Sequence, residues 1–268
     1  MTLPEMPIRS YLYVPGNDRH RIEKALATDT DAIILDLEDA VAPNRKQEAR
    51  EVVSEVLRAG PAKPIFVRVN APGSEFIEQD IKMIAGPNLA GIRLPKTESA
   101  EDVESVALVL EGFGCAIKIQ CLVESAIGLE LAFEIARAHE SITGMSLGEA
   151  DLAADLGVQK STHLTYARSK IVTASRAAGL PHPVQSVYTD VRDTEELRRS
   201  TEEGKSMGFI GRSAIHPAQI PIINEVFTPT DKEAEEAKEL LERLDNESAS
   251  GTGAFLLEDG RFVDRAVV

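Results

Sequence analysis

Ala116-Ile-Lys-Ile-Gln-Cys-Leu-Val-Glu124 and Ile142-Thr-Gly-Met-Ser-Leu-Gly-Glu-Ala-Asp151 are two short apolar runs, each ending on an acid. Runs of that length between helix-like stretches read as buried strands of a parallel sheet. Carboxylates at the carboxyl ends of successive parallel strands face one cavity. Two hard oxygen donors of this kind suit Mg²⁺, which keeps several waters and lets substrate oxygens complete its octahedron. Each acid alone has a plainer account, as an N-cap or a solvated loop residue.

Outward from these two, the same rhythm repeats. Apolar runs recur at Ser10–Pro15, Asp31–Glu38, Pro64–Asn70, Leu89–Lys96, Ala116–Glu124, Ile142–Asp151, Val184–Asp190 and Gly208–Pro217. Between them lie helical patterns at Asp18–Ala27, Arg45–Ala59, Ala100–Leu110, Leu129–His139, Ser161–Ala178 and Thr194–Met207. Strand and helix in alternation imply βαβ units, and eight right-handed crossovers close into a (β/α)₈ TIM barrel. A doubly wound open sheet is the alternative, but no G-x-G-x-x-G turn follows the first run. The barrel is expected over residues 1–230, with a short C-terminal extension over 231–268. That extension begins with a Glu- and Lys-rich helix at Asp231–Arg243 and continues through a small-residue linker, Asn246–Gly253. It ends in two apolar stretches around Asp259-Gly260, a hairpin turn signal.

The chain has 268 residues and a net charge of −15, which argues against nucleic acid as a partner because phosphate binding needs a basic surface. No apolar stretch reaches membrane-spanning length, and the opening residues lack the pattern of a signal peptide. Cys115 and Cys121 are too far apart on an extended segment to bridge, which fits free thiols in a reducing cytoplasm.

Charged residues inside apolar strands need a reason, because an unpaired buried charge costs several kcal/mol. Asp36 and Glu38 share one side of the second run, and Arg68 lies between Val67 and Val69 in the third. They are candidates for an internal ion-pair network or, gathered at a barrel mouth, for a catalytic group. Lys96 closes the fourth run, as a Schiff-base lysine or as a salt-bridge or phosphate contact. Gly16, Gly208 and Gly211 permit close backbone approach, and His216 before Pro217 reads as a turn residue.

These positions also carry a resemblance. Arg9-Ser-Tyr-Leu-Tyr-Val-Pro-Gly16, Asp36-Leu-Glu-Asp-Ala-Val41, Val67-Arg-Val-Asn70, Arg93-Leu-Pro-Lys96, Val123-Glu-Ser125, Gly148-Glu-Ala-Asp151 and Ile215-His-Pro-Ala-Gln219 occur in the order found in the citrate lyase β-subunit-like family of the HpcH/HpaI aldolase superfamily. The resemblance implies Mg²⁺-dependent carbon–carbon lyase chemistry on a 3-hydroxyacyl-CoA thioester of the malyl-CoA or citramalyl-CoA type, or its reversal or a coupled thioesterase. Coenzyme A then enters as part of the substrate and an α-keto acid as the other half. A metal-dependent 2-oxo-acid aldolase without coenzyme A, or a citrate lyase complex subunit acting on a carrier-bound acyl group, are the alternatives.

Residue by residue, the resemblance implies Glu124 and Asp151 as metal ligands and Arg68 as the cation facing the developing negative charge, with Asp36 and Glu38 beside it. Pro15, Gly16, Arg19, Lys96, Ile215, His216 and Pro217 are implied around the coenzyme and substrate. Phe262-Val-Asp264 is similar to a lid motif, which makes Asp264 the expected acid/base, acting across subunits of a homo-oligomer, trimer or hexamer. Three features depart from the pattern. The chain stops soon after the lid motif, Arg212 stands where lysine is frequent, and Asp39 follows Glu38 where simple hydroxy-diacid aldolases carry a histidine.

Overall fold

The computed structural model describes residues 7–113, 117–159, 161–249, 254–256, 260 and 262–264. The chain falls into two compact units, Met1–Phe227 and Thr228–Val268.

In the first unit eight parallel strands close on themselves in sequence order. They are β1 (Ser10–Pro15), β2 (Ala32–Asp36), β3 (Ile65–Arg68), β4 (Leu89–Leu94), β5 (Ile119–Val123), β6 (Ile142–Leu147), β7 (Val184–Gln185) and β8 (Gly211–Ala214). The ring closes where Ser10, Tyr11 and Leu12 of β1 pair with Arg212, Ser213 and Ala214 of β8. This is the (β/α)₈ TIM barrel expected from the alternating pattern.

The helices run in chain order around the strands: α1 (Arg19–Leu26), α2 (Lys46–Arg58), α3 (Ile77–Ile84), α4 (Ala100–Glu111), α5 (Ala126–Glu130), α6 (Ala132–Ala136), α7 (Glu149–Leu156), α8 (Thr165–Ala177), α9 (Thr194–Ser206) and α10 (Ile220–Phe227). Local chemistry sets several of their starts. Asp18 accepts from Arg21 N at 3.0 Å, and Ser99 and Asp102 form a reciprocal capping box. Ser125 accepts from Gly128 N, and Asp193 from Glu196 N.

The main core lies between strands and helices and includes Leu35, Val67, Ile92, Ile119 and Leu147, all close to fully buried. A second, smaller cluster fills the barrel interior: Ile8, Tyr11, Ala32, Ile34, Phe66, Ala90 and Val184. The Tyr11 and Phe66 rings meet there at 5.6 Å and 60°, a tilted pair of the kind aromatic quadrupoles favour. This apolar plug closes the barrel below, so polar inward side chains gather toward the carboxyl ends of the strands.

Three expectations are corrected. Strand six ends at Leu147, and Asp151 lies in the first turn of α7, where an acid is favoured by the helix dipole. The helix expected over Leu129–His139 is two short ones, α5 and α6, meeting at Leu131. The supposed linker at Asn246–Gly253 is helical through Ala249.

In the second unit α11 (Asp231–Ala249) precedes β9 (Ala254–Leu256), which pairs antiparallel with β10 (Phe262–Asp264). The Arg243 guanidinium sits 4.5 Å from the Phe255 ring centroid and donates to Leu256 O. The side chain of Asp264, together with Asp259 and Cys115, lies outside the described residues.

Candidate active site

At the carboxyl ends of the barrel strands lies a cavity of about 470 Å³. Among the residues expected at the site, Pro15, Asp36, Arg68, Glu124, Asp151 and Ile215 all line it.

Arg68, the last residue of β3, is held on two sides. Its Nε and Nη2 donate to Asp36 Oδ1 and Oδ2 at 2.8 and 2.6 Å, a bidentate fork. Nη1 lies 3.0 Å from Glu38 Oε2, and the guanidinium stacks 5.3 Å from the Tyr13 ring centroid. Asp36 also accepts from Glu38 N and Ala40 N. Its carboxylate is therefore occupied by orienting Arg68 and by folding the Asp36–Ala40 loop. Burial acts to lower the Arg68 pKa, but the pairing with Asp36 outweighs it and the guanidinium stays charged.

Lys96 has a backbone φ of 48°, the only non-glycine with positive φ among the described residues. A lysine in that left-handed region costs roughly 1 kcal/mol and marks a position held by its surroundings. Here two contacts hold it. Lys96 N donates to Glu124 Oε1 at 2.8 Å, and Lys96 Nζ pairs with Glu38 Oε1 at 2.5 Å. The Glu38 bond raises the lysine pKa above its ordinary value. An ammonium so paired is a poor Schiff-base nucleophile, and the contact with Glu38 is the salt bridge of the second reading. Glu38 itself is buried, and burial raises its pKa despite both cations.

Behind this loop lies a network that sequence reading missed. Lys46 Nζ donates to Leu37 O, Glu38 O and Asn70 Oδ1 at 2.6–2.8 Å. Asn70 in turn donates to Asp80, which is paired with Arg50 at 2.7 Å. The buried cation thus grips the loop by its carbonyls and fixes the height of Glu38.

Glu124 follows β5 and is 5% exposed. It packs against Gly148, where a β-carbon would fall 2.5 Å from Glu124 Oε2. Burial pushes its carboxyl up to about 7, against the Lys96 N–H bond, and the negative charge of Asp151 adds to the rise. Asp151 is exposed in the first turn of α7, three residues beyond Gly148. An acid this unfavourable as an isolated anion, beside a second acid and turned into a cavity, suits a divalent cation. No group of three or more His, Cys, Asp or Glu forms a metal cluster among the described residues. Two carboxylates leave most of an octahedron to water and ligand oxygens, which fits Mg²⁺ and does not fit a closed structural site.

The remaining expected residues serve differently. Gly16 donates its N–H to Asp36 O at 2.8 Å, and a side chain there would strike that oxygen. It is a close-packing glycine of the barrel wall. Arg19 does not line the cavity and pairs with Glu55, whereas Arg21, two residues on, does line it. His216 and Pro217 are exposed, and His216 opens a capping box whose partner, Gln219, accepts from Ile215 N and His216 N and donates to Tyr188 O. Arg212 is buried under α9, donating to Ser186 O, Ser200 Oγ and Thr201 Oγ1, and does not line the cavity.

A parallel barrel with two carboxylates, an oriented guanidinium and a cavity between them is the mouth of a metal-assisted barrel enzyme. The profile of the HpcH/HpaI aldolase/citrate lyase family matches residues 9–217, and the chain belongs to that family. It is 36% identical over 263 residues to a (3S)-malyl-CoA thioesterase of Cereibacter sphaeroides, covering 96% of this chain and 90% of the relative. It is 34% identical over 272 residues to the citrate lyase subunit beta of Leuconostoc mesenteroides subsp. cremoris, covering 97% and 89%. Among solved structures, the CitE protein of Mycobacterium tuberculosis in complex with magnesium, acetoacetate and coenzyme A is 32% identical with a TM-score of 0.79, covering 97% of this chain and 93% of that one. No helix among the described residues is long and apolar enough to cross a membrane.

Proposed function

We propose that the chain is a Mg²⁺-dependent carbon–carbon lyase that cleaves a 3-hydroxyacyl-CoA thioester of the malyl-CoA type to acetyl-CoA and an α-keto acid, or runs the reverse condensation or a coupled thioester hydrolysis. The observation that carries it is the pair Glu124 and Asp151 opening on the cavity that Arg68 lines. These two carboxylates would hold the metal, which when bound supplies a Lewis acid for the keto-acid half.

Arg68 meets the other half. As the bond between the two carbons breaks, the 3-hydroxyl gives its proton to water and becomes the keto oxygen. The electron pair is left as an enolate of the acetyl thioester, and a guanidinium already oriented by Asp36 stabilises that charge without reorganising. Glu38 and Lys96 set the wall beside it. Pro15 and Ile215 line the cavity where a coenzyme would enter, with His216 and Pro217 exposed next along the chain and Lys96 held beside Glu38.

The enolate must take up a proton at its methylene carbon. Asp264 is the proposed donor, reaching the site of a neighbouring subunit, which calls for a homo-oligomer. The similarity to a citrate lyase β subunit supports a second reading, in which the acyl group arrives on a carrier protein.

The deciding experiment assays the purified chain with malyl-CoA, citramalyl-CoA, hydroxymethylglutaryl-CoA and free hydroxy acids. Acetyl-CoA and keto acid are followed with Mg²⁺ and with EDTA. Turnover of a CoA thioester that EDTA abolishes and Mg²⁺ restores is expected. Turnover indifferent to EDTA, or a borohydride-trapped adduct at Lys96, would overturn the proposal. Activity of the chain on its own removes the carrier-dependent reading.

A further inference from the structure

The fold treats the two inward tyrosines of β1 differently. Tyr11 belongs to the apolar plug, and its hydroxyl accepts from Gln120 Nε2 at 3.4 Å. Tyr13, two residues on, is the next inward position of the strand and lines the cavity. No group among the described residues hydrogen-bonds its hydroxyl. A guanidinium rests on each ring. Arg93, bonded to Ser146 Oγ and Gln120 Oε1, lies 5.3 Å from the Tyr11 centroid, and Arg68 lies 5.3 Å from that of Tyr13.

Packing alone does not call for the Tyr13 hydroxyl. A phenyl ring would fill the same place against the plug and carry the same stack with Arg68. Burial pushes the phenol pKa above its ordinary value, against the charges of Arg93 and Arg68, so the group keeps its proton at neutral pH. A phenol that keeps its proton and has no acceptor in the protein is a hydrogen-bond donor available to whatever fills the cavity.

The chemistry proposed for the cavity needs a donor at this place. Arg68 is not a free charge, because Arg68 and Lys96 stand among three acids, Asp36, Glu38 and Asp39. Arg68 Nε and Nη2 are committed to Asp36, and Nη1 faces Glu38. Little net positive charge is therefore left for an enolate oxygen. An oxyanion in a site shielded from water is held by fixed donors that converge on it. The Tyr13 ring is packed on the Arg68 guanidinium, so its hydroxyl borders the same part of the cavity.

We propose that Tyr13 is a further catalytic residue, whose hydroxyl donates a hydrogen bond to the thioester oxygen as that oxygen takes up the enolate charge. The proton stays on the phenol throughout. The proposal rests on the lyase reading and adds a second, neutral donor to Arg68.

Tyr13→Phe tests it in the Mg²⁺-loaded full chain, assayed on the thioester that wild type turns over best. Because the hydroxyl holds nothing in the fold, the melting temperature is expected to be unchanged. The kcat should fall about 100-fold, the loss typical of one oxyanion donor, with KM within about threefold of wild type. Uptake of solvent deuterium by the methyl group of acetyl-CoA, which passes through the same enolate without cleavage, should slow by a similar factor. Mg²⁺ and keto-acid binding, read by calorimetry, should match wild type. A kcat within about threefold of wild type, or a raised KM with kcat intact, would overturn the proposal and leave the lyase reading standing. A lowered melting temperature would also overturn it, as the mark of a hydroxyl used by the fold. Wild type inert on every thioester would overturn both.

Discussion

Glu124 lies against the bare backbone of Gly148, so close that a β-carbon there would stand 2.5 Å from one carboxylate oxygen and 2.6 Å from the glutamate's own Cβ. Neither contact can be relieved by rotating a flexible chain end, because Lys96 N holds the other oxygen at 2.8 Å. Gly148→Ala should therefore push Glu124 away from Asp151 while leaving the barrel folded. Residues that orient a ligand typically shift metal affinity by about 10- to 100-fold. A weakening of Mg²⁺ binding in that range is expected by calorimetry, with an unchanged circular dichroism spectrum. Wild-type affinity in Gly148→Ala would show that Glu124 does not hold the metal.

The fork between Asp36 and Arg68 makes a different prediction. Arg68→Lys keeps a positive charge but loses the planar two-point grip on Asp36 and the stack on Tyr13. A cation that wanders should serve the enolate poorly and the ground state almost as well. The expected result is a fall in kcat of about 100-fold, with Mg²⁺ affinity and keto-acid binding within about threefold of wild type. A rise in KM with kcat intact would assign Arg68 to binding instead.

How far the sequence could be read follows from where each signal is local. The first strand was legible to its last residue, since Pro15-Gly16 ends it and alternate burial marks it. Arg68 between two valines pointed to an internal acid, and Asp36 is that acid. Asp151 was placed one element too early because Gly148-Glu-Ala-Asp151 continues an apolar run without a break. The acids Glu149 and Asp151, suited to a helix's first turn, were the available sign. The helices Ile77–Ile84 and Ile220–Phe227 were missed: eight residues give barely two turns of periodicity, and neither carries the side-chain N-cap that Asp18 gives the equally short Arg19–Leu26.

Arg93 and Lys46 show a harder limit. Both were visible as charges, but their roles depend on partners 27 and 24 residues away in the chain, Gln120 and Asn70. Nothing in the spacing along one strand or helix announces a partner on another. Arg19 and Arg21 differ only by rotation around α1, and that rotation decides which faces Glu55 and which faces the cavity.

Cys121 supplies a test of the barrel wall itself. Its thiol is fully buried in β5, and burial pushes its pKa up to about 12 from 9.0. A raised folded pKa means the fold favours the protonated thiol. Stability from this group is intact below pH 9 and falls as pH rises toward 12, because the unfolded chain ionises first. Iodoacetamide at pH 8 should leave Cys121 unmodified in the native protein and label it fully in urea, as read by peptide mass mapping. Rapid native labelling would contradict the closed packing of β5.

The proposed proton donor carries the one step that the proposal assigns to a neighbouring subunit. Asp264 lies on β10, in the compact unit separate from the barrel. If it protonates the acetyl methylene in a neighbouring subunit's site, Asp264→Asn should lose cleavage by at least about 100-fold while binding Mg²⁺ and keto acid normally. Arg68→Ala should be inactive for the separate reason that its own site lacks the cation. When the two inactive variants are mixed and allowed to exchange subunits, some sites will combine an intact Arg68 with an intact Asp264 from the other chain. Activity should then return to a fraction of wild type set by the mixing ratio. Recovery on mixing is possible only if the aspartate acts across subunits. Persistent inactivity after demonstrated subunit exchange would place the donor within the same chain, and full activity of Asp264→Asn alone would remove it from the mechanism.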